Sequence, residues 1–451
     1  MPSMQNWLSL IMFDEGPKYA AISDAISGAI RSGELRPGER LPAQRKLAQI
    51  LGVDLTTVTR AYGLLSHSGL IEGSGKLGSF VRNDVDGPIF DGTRNENGMN
   101  VPPQPGFNLL SDAIRTATSK LLRAGRHSPI LQYQPGLGNY ADRFQAAAAL
   151  SSRGIPSNVE QMAIVSGAQN ALHAIVTSIL KPGDRICCAH FVYPGIIMLA
   201  HRHRLKLSPI AVDAEGLVPE ALDECLRSGV RFIYVTPTND NPTALTMGID
   251  RRAAISAIAR QYGATIIEDD AYGLLPSLPY PPIASIAAES TWYITGTSKL
   301  ISPVIRVAHV RAPSVRHATM LERDICRTTV MAPPLNAAIV TMWLRQGTYD
   351  QLVAGVRSES IQRQRLVNRH LAAHDYIAHP EGYHLWLKAR SKVQATTISE
   401  HLRAFGLSAV LGGVFMTKPD NIDAHIRISV GGAISHDRLE RALSSLSEFA
   451  G

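Results

Sequence analysis

From residue 107 onward the chain alternates between two patterns. Short apolar runs stand at 162–167 (MAIVSG), 185–191 (RICCAHF), 232–238 (FIYVTPT), 264–270 (ATIIEDD), 293–296 (YITG) and 305–310 (IRVAHV). Between several of them lie helical patterns such as AQNALHAIVTSIL at 168–180 and DRRAAISAIARQYG at 250–263. Strand-length apolar runs separated by amphipathic helices are the signature of an α/β domain with a largely parallel sheet. After about residue 360 the pattern changes to a smaller α+β unit, with YHLWLKA at 383–389, HIRISV at 425–430 and a closing helix from His436. The second domain therefore spans 107–451, its smaller subdomain lying mainly in 360–451.

Ahead of this domain, residues 12–82 read as a separate unit, which suits a chain of 451 residues, too long for one small core. Ile22, Ile26 and Ile30 are four apart, one face of a helix that starts near Pro17 and stops at Gly33. A second short helix, LPAQRKLAQILG, closes at Gly52. A third follows in VDLTTVTRAYGLLSHSG, with Asp54 as N-cap and Gly69 as C-cap. LIEGSGKLGSFV then reads as two strands about a glycine-rich turn. Residues 83–106, rich in Asn, Asp, Gly and Pro without periodicity, read as a linker.

Three helices and a hairpin make a winged helix-turn-helix plan, in which the third helix presents its first residues to base edges in the major groove of DNA. Thr56, Thr57 and Arg60 take those positions, Arg45 reaches a phosphate, and Lys76 in the wing reaches the backbone or the minor groove. Charge does not make this case: residues 1–82 hold nine Lys/Arg against seven Asp/Glu, and the whole chain is only +7. The pattern does. The stretch GELRPGERLPAQRKLAQILGVDLTTVTRAYGLLSHSGLIEGSGKLGSFV resembles the GntR family of bacterial regulators over about fifty consecutive residues.

In the large domain, a lone lysine interrupts an apolar segment. Between Tyr293 and Arg306 the chain carries one charge, Lys299. A buried, unpaired ammonium is costly, so such a lysine is paired, neutralised or used. An open α/β sheet places its ligand beyond the carboxyl ends of its strands. There this sequence sets Gly167, Ala168 and Gln169 opening a helix, Asn241 after FIYVT, Asp269 and Tyr272 after ATII, Ser298 and Lys299 after YITG, and Arg306 on the next strand. A helix N-terminus suits a phosphate, and Arg306 pairs with one. A desolvated lysine has a lowered pKa and forms Schiff bases, and a buried carboxylate keeps a pyridine nitrogen protonated. Asn241 and Tyr272 can hydrogen-bond a ring oxygen. This chemistry fits pyridoxal 5′-phosphate (PLP), with Lys299 as the Schiff-base residue.

Over roughly residues 100–451 the order of these motifs resembles the class I aminotransferases of PLP fold type I. The resemblance implies that Tyr133, in LQYQPGLGNYADRF, reaches the phosphate of a neighbouring subunit. It implies that Tyr193, in FVYPG, stacks on the cofactor ring, and that Arg427, in HIRISVG, grips a substrate carboxylate. Three positions depart from the family pattern. Gly296 and Ala168 stand where hydroxyl residues are common, and NPTG is here NPTA, with Ala244. Two phosphate-binding hydroxyls are thereby lost, each typically contributing about 1 kcal/mol. Ser298, Thr295 and Thr297 are candidates to replace them.

A GntR-type unit joined by a linker to an aminotransferase-like domain resembles the MocR subfamily of GntR regulators. This implies a head-to-tail homodimer that binds double-stranded operator DNA. It also implies an amino-compound effector, or PLP itself, acting at Lys299 and altering operator binding; Arg427 favours an effector with a carboxylate or sulfonate. The alternative is an active aminotransferase with an accessory DNA-binding domain. A third reading, a module that senses without PLP, is opposed by the presence of Lys299 and Asp269. Four cysteines without metal-ligand spacing suggest thiols in a reducing compartment, and no metal site. The N-terminus lacks a basic signal-peptide region and no apolar run is of spanning length, so a cytoplasmic protein with no membrane partner is expected.

Overall fold

The computed structural model describes residues 8, 11, 17–31, 34–36, 38–67, 70–73, 78–81, 98–106, 108–123, 129–418 and 423–448. The expected wing residue Lys76 and the expected helix stops Gly33 and Gly69 lie outside them. The chain divides into two units, 1–91 and 92–451.

In the first unit, helices α1 (Lys18–Arg31), α2 (Gln44–Leu51) and α3 (Leu55–His67) precede a hairpin of β1 (Ile71–Gly73) and β2 (Ser79–Val81), paired antiparallel with Ile71 opposite Val81. The isoleucine stripe of α1 is buried, and Ile22 and Ile26 pack with Leu47, Val58 and Leu65 in one core. Gly52 ends α2 in the left-handed conformation (φ 61°), its N–H bonding to Ala48 O, the backbone state that favours glycine at a helix stop.

The second unit opens with α4 (Leu109–Leu122) and α5 (Tyr140–Ser151), the latter capped by the Asn139 side chain, which accepts from Ala141 N at 2.9 Å. Strands and helices then alternate as β3 (Met162–Val165), α6 (Ala168–Ile179), β4 (Arg185–Ala189), α7 (Pro194–Arg202) and β5 (Lys206–Ile210). A small hairpin, β6 (Val212–Asp213) and β7 (Gly216–Leu217), leads to α8 (Pro219–Arg227) and β8 (Phe232–Val235). Next come α9 (Ile249–Gln261), β9 (Thr265–Asp269), α10 (Ile283–Ile286), β10 (Thr291–Gly296), α11 (Thr297–Leu300) and β11 (Ala308–Arg311). The large sheet has the order β3-β11-β10-β9-β8-β4-β5. Only β11 runs against its neighbours; β10, β9, β8, β4 and β5 pair in parallel. Trp292, Tyr293 and Ile294 on β10 are fully buried, as a strand covered on both faces requires.

Helices α12 (Val315–Thr328), α13 (Pro334–Gln346) and the long α14 (Thr348–Leu371) lead to the smaller domain. There β12 (Tyr376–Ala378), β13 (His384–Lys388), α15 (Lys392–Ala404), β14 (Ser408–Leu411), β15 (His425–Ser429) and α16 (His436–Glu448) form an antiparallel sheet of order β12-β13-β15-β14 with two helices. The architecture is the expected one, an α-rich N-terminal unit followed by an α/β domain with a smaller α+β subdomain. Residues 98–106, assigned to the linker from composition, pack within the second unit, where Asn100 is 1% exposed. Among the described residues no helix is long and apolar enough to cross a membrane.

Candidate functional site

Because β3, β4, β8, β9 and β10 run the same way, the turns after them share one edge of the sheet. The expected residues Gly167, Tyr193, Asn241, Asp269 and Lys299 all leave the sheet there. A cavity of about 270 Å³ lies among Ala168, Asn241, Asp269, Tyr272, Ser298 and Lys299. A wider one of about 820 Å³ shares Lys299, Tyr193 and Arg306 with it and reaches Arg427, Phe415 and Arg403.

Lys299 sits on α11, one turn past the end of β10. Its Nζ donates to the backbone oxygen of Asn100 at 2.6 Å, and its own carbonyl accepts from the Tyr383 hydroxyl at 2.8 Å. Burial, then the nearby Arg427 and Arg306 guanidinium groups, lower its pKa from 10.5 to about 8. At pH 7 that raises the neutral, nucleophilic fraction from about 1 in 3,000 to about 1 in 10.

Asp269 ends β9 in a buried position. Its Oδ2 accepts from the Tyr234 hydroxyl at 3.1 Å, while Oδ1 is buried without a partner. Burial holds its pKa up at about 6 against the opposing Tyr234 hydrogen bond. A buried carboxylate oxygen with no donor in a cavity of this size calls for an N–H from a ligand. Tyr272 accepts from Asn100 Nδ2 at 2.8 Å, which leaves its own proton to give. Asn241 Oδ1 accepts from Arg427 Nη1 at 3.1 Å, which turns the Asn241 amide donors free for the cavity.

At the opposite end of the cavity α6 begins. Its cap, Gly167, has φ 89°, and a Cβ there would lie 3.4 Å from Arg306 Nε. Arg306 itself holds a left-handed φ of 53°, a conformation uncommon outside glycine. Gln169 Nε2 bonds Gly195 O at 3.4 Å. The three candidate replacement hydroxyls separate here. Thr297 Oγ1 donates to Val307 O at 3.1 Å, and Thr295 Oγ1 is buried but does not line the cavity. Ser298 does line it, with its Oγ buried and without a partner. An acceptor-rich anion between Arg306, Ser298 and the α6 N-terminus would satisfy all three.

Arg427 enters from β15 of the smaller domain. It is 2% exposed, and its guanidinium meets Asn241, Ser408 Oγ at 3.4 Å and the Gly98 carbonyl, with the Phe415 ring 5.2 Å away. Tyr133 stands apart, 85% exposed and outside both cavities. Asn100, Tyr234, Tyr383 and His384 belong to the site but were not singled out from the sequence. Tyr234 was hidden inside an apolar strand, and Asn100 inside an apparent linker.

In the N-terminal unit, Arg45 and Thr57 line a shallow concavity, and Thr56 is exposed beside it. Arg60 lies over the Tyr19 ring with its Cζ 4.0 Å from the centroid, so part of its reach is used within the unit. Arg40, at the base of the hairpin and bridged to Phe80, adds a basic side chain that the sequence pattern did not single out.

A sheet parallel but for one strand, with a buried lysine and a buried carboxylate at the ends of adjacent strands and an arginine lent by a smaller domain, defines a PLP-dependent transferase domain of fold type I. Residues 98–446 match the class I and II aminotransferases, and the chain belongs to that family. Residues 18–81 match the gntR family of bacterial regulatory proteins, so the whole has the architecture of the MocR subfamily of GntR regulators. The HTH-type transcriptional regulator YdeF of Bacillus subtilis is 25% identical over 448 residues, covering 98% of this chain and 96% of its own. The vitamin B6 salvage pathway transcriptional repressor PtsJ of Salmonella typhimurium is 27% identical over 396 residues, covering 84% and 89%. The kynurenine aminotransferase of Pyrococcus horikoshii shares the fold of the large unit, with a TM-score of 0.70 at 21% identity over 78% of this chain and 89% of that one. The residues lining the smaller cavity fit PLP: a donor-seeking carboxylate for the ring nitrogen, two donors for a ring oxygen, an anion cradle and a lysine of lowered pKa.

Proposed function

We propose that this chain binds operator DNA through its N-terminal unit and senses a small amino compound carrying a carboxylate or sulfonate at the Lys299 site. The observation that carries this reading is the pairing, in adjoining cavities, of a carbonyl-reactive lysine of lowered pKa with a buried arginine that has no acid beside it among the described residues. When bound, PLP supplies an aldehyde that condenses with primary amines and a protonated ring that draws electrons. The protein's own groups do the rest. Asp269 Oδ1 accepts the ring N–H and keeps it protonated. Tyr272 and Asn241 donate to the ring oxygen, and Tyr193 covers the ring face. Gly167, Ala168, Gln169, Ser298 and Arg306 hold the phosphate, and Lys299 offers its neutral amine. Arg427 receives the effector's anion.

Self-association belongs to the same reading. Tyr133 is 85% exposed, and a stacked Tyr140–Phe144 pair with centroids 6.3 Å apart also stands on the surface. These suit a head-to-tail homodimer in which Tyr133 completes the partner's phosphate site. Arg45, Thr56, Thr57, Arg60 and Lys76 are the DNA contacts. PtsJ is by its name a transcriptional repressor of the vitamin B6 salvage pathway, which makes PLP itself a candidate signal; that variant of the reading has no use for Arg427.

The test joins a spectrum to a footprint. Wild type with PLP should show a visible band that Lys299→Ala lacks, and one amine from a panel of amino acids and amino sulfonates should shift that band and change the operator footprint together. Arg45→Ala should weaken operator binding across sequences and lower the salt slope by about one. A band that bleaches and is restored by a keto acid over many cycles would make the protein an enzyme first. Absence of any footprint on the upstream region of its own gene would refute the regulator.

A further inference from the structure

Among the described residues, Arg427 is a buried cation without an anion. Among those residues its Nη atoms reach neutral oxygens alone, those of Asn241, Ser408 and Gly98, and its Nε has no partner. A guanidinium removed from water and left without a carboxylate or phosphate is an unfavourable arrangement that a carbonyl relieves only in part.

One of those oxygens belongs to an unusual place in the chain. Gly98 is the first described residue after Val81, so its backbone leads directly into residues 82–97 and on to the N-terminal unit. Its φ is 63°, and a Cβ there would come within 3.2 Å of Val410 Cγ2. Two residues later Asn100 is fixed on every side. Its Oδ1 accepts from Ser429 Oγ at 2.7 Å, and its Nδ2 donates to Tyr272 and to His384 Nδ1 at 3.1 Å. His384 Nε2 in turn donates to Asp240 O at 2.9 Å, which sets the ring's tautomer. Asn100 is therefore a firm anchor, and the Gly98 carbonyl is held by Arg427.

We propose that the Gly98 carbonyl is a built-in stand-in for the effector's anionic group: a carboxylate or sulfonate takes the Arg427 donors from it and loosens the backbone at Gly98. The inference rests on Arg427 being the anion site and names the strand of chain through which its occupancy leaves the domain. The sign of its consequences is distinctive. The carbonyl competes with the ligand, so the observed affinity is the intrinsic one reduced by the fraction of molecules with the carbonyl displaced. Loosening residue 98 must then tighten anion binding, whereas a residue that merely shapes the pocket would weaken it.

The experiment uses the full chain loaded with PLP and the amine-free probes propionate, succinate and ethanesulfonate, which can occupy Arg427 without reacting at Lys299. Binding is read by calorimetry, and hydrogen exchange by mass spectrometry of the peptide containing residues 98–101. Expected is a several-fold rise in exchange of that peptide on saturation with a binding probe. Gly98→Ala should exchange faster without ligand and bind the same anion several-fold more tightly. Arg427→Gln should not bind it and should exchange fast with or without it. A bound anion that leaves the peptide's exchange unchanged overturns the proposal, as does weaker binding by Gly98→Ala or binding of none of the probes. Neither readout involves DNA or an amine, so a protein that shows this release but gives no footprint would keep the latch and lose the regulator.

Discussion

Lys299 combines two demands that oppose each other in an empty site. Its neutral form is the useful nucleophile, and burial favours that form, yet below pH 8 the folded protein must carry it as an ammonium beside Arg427 and Arg306. The folded pKa of about 8 lies under the usual 10.5, so between those values the unfolded chain binds more protons, and stability rises with pH across that window. Below about pH 8 the penalty is present in full. Lys299→Met fills similar volume without the charge, though it leaves the Asn100 carbonyl short of a donor. The variant should be more stable than the cofactor-free wild type at pH 7 by roughly 1–3 kcal/mol, and the gap should close as the pH approaches 10.5. Urea unfolding of both proteins at pH 7 and pH 10 measures it. A variant less stable than wild type at pH 7 would show that the Asn100 hydrogen bond outweighs the buried charge.

In the proposed site the helix α6 and the turn from β10 into α11 are the two sides of the phosphate cradle, and the resemblance to the aminotransferases implies that each lacks a hydroxyl, at Ala168 and Gly296. They are not equally easy to restore. Residue 168 is the first of α6 and lines the cavity, so Ala168→Ser puts an oxygen beside the open N–H groups. At Gly296 a Cβ would meet Ala308 Cβ at 3.2 Å and Val307 O at 3.3 Å, so serine there must push β11 away. A PLP titration should give Ala168→Ser a several-fold tighter dissociation constant, about 1 kcal/mol, and Gly296→Ser no gain. Equal gains would place the phosphate elsewhere. The contrast also marks what a sequence can carry. The strand ends were legible because apolar runs stop abruptly at polar residues, which put Asp269, Asn241 and Lys299 on one edge. Strand β5 was not, because Pro209 interrupts its pattern; it survives by lying at the edge of the sheet. Asn100 was illegible for a different reason. Its environment is assembled from Tyr272, His384, Ser429 and Lys299, distant in sequence, and a proline-rich stretch offers no periodicity to announce a buried face.

Two separately packed units joined through residues 82–97 set how the whole chain should come apart. Ile22, Ile26, Leu47 and Leu65 pack among themselves in the first unit, and the second has its own far larger cores. Enthalpy of unfolding scales at about 0.7 kcal/mol per residue, so residues 18–81 should contribute roughly 45 kcal/mol and residues 98–446 roughly 240 kcal/mol. Calorimetry of the full chain should therefore show a small and a large transition. PLP binds the native second unit alone, and at a hundredfold excess over its dissociation constant adds about 2.7 kcal/mol, which moves the large transition up by roughly 4 °C and leaves the small one in place. Operator DNA should do the reverse, raising the small transition first. Regulation requires these two effects to be linked by a coupling free energy, typically about 1–3 kcal/mol, and linkage is reciprocal. The effector must then change how far operator DNA raises the small transition, even though it touches only the large unit. If PLP instead carries a single transition upward as one, the units fold as one body and the latch at Gly98 has no independent partner to signal to. If both transitions persist and the effector never alters the DNA-induced shift, the two units are joined by the chain but not by free energy.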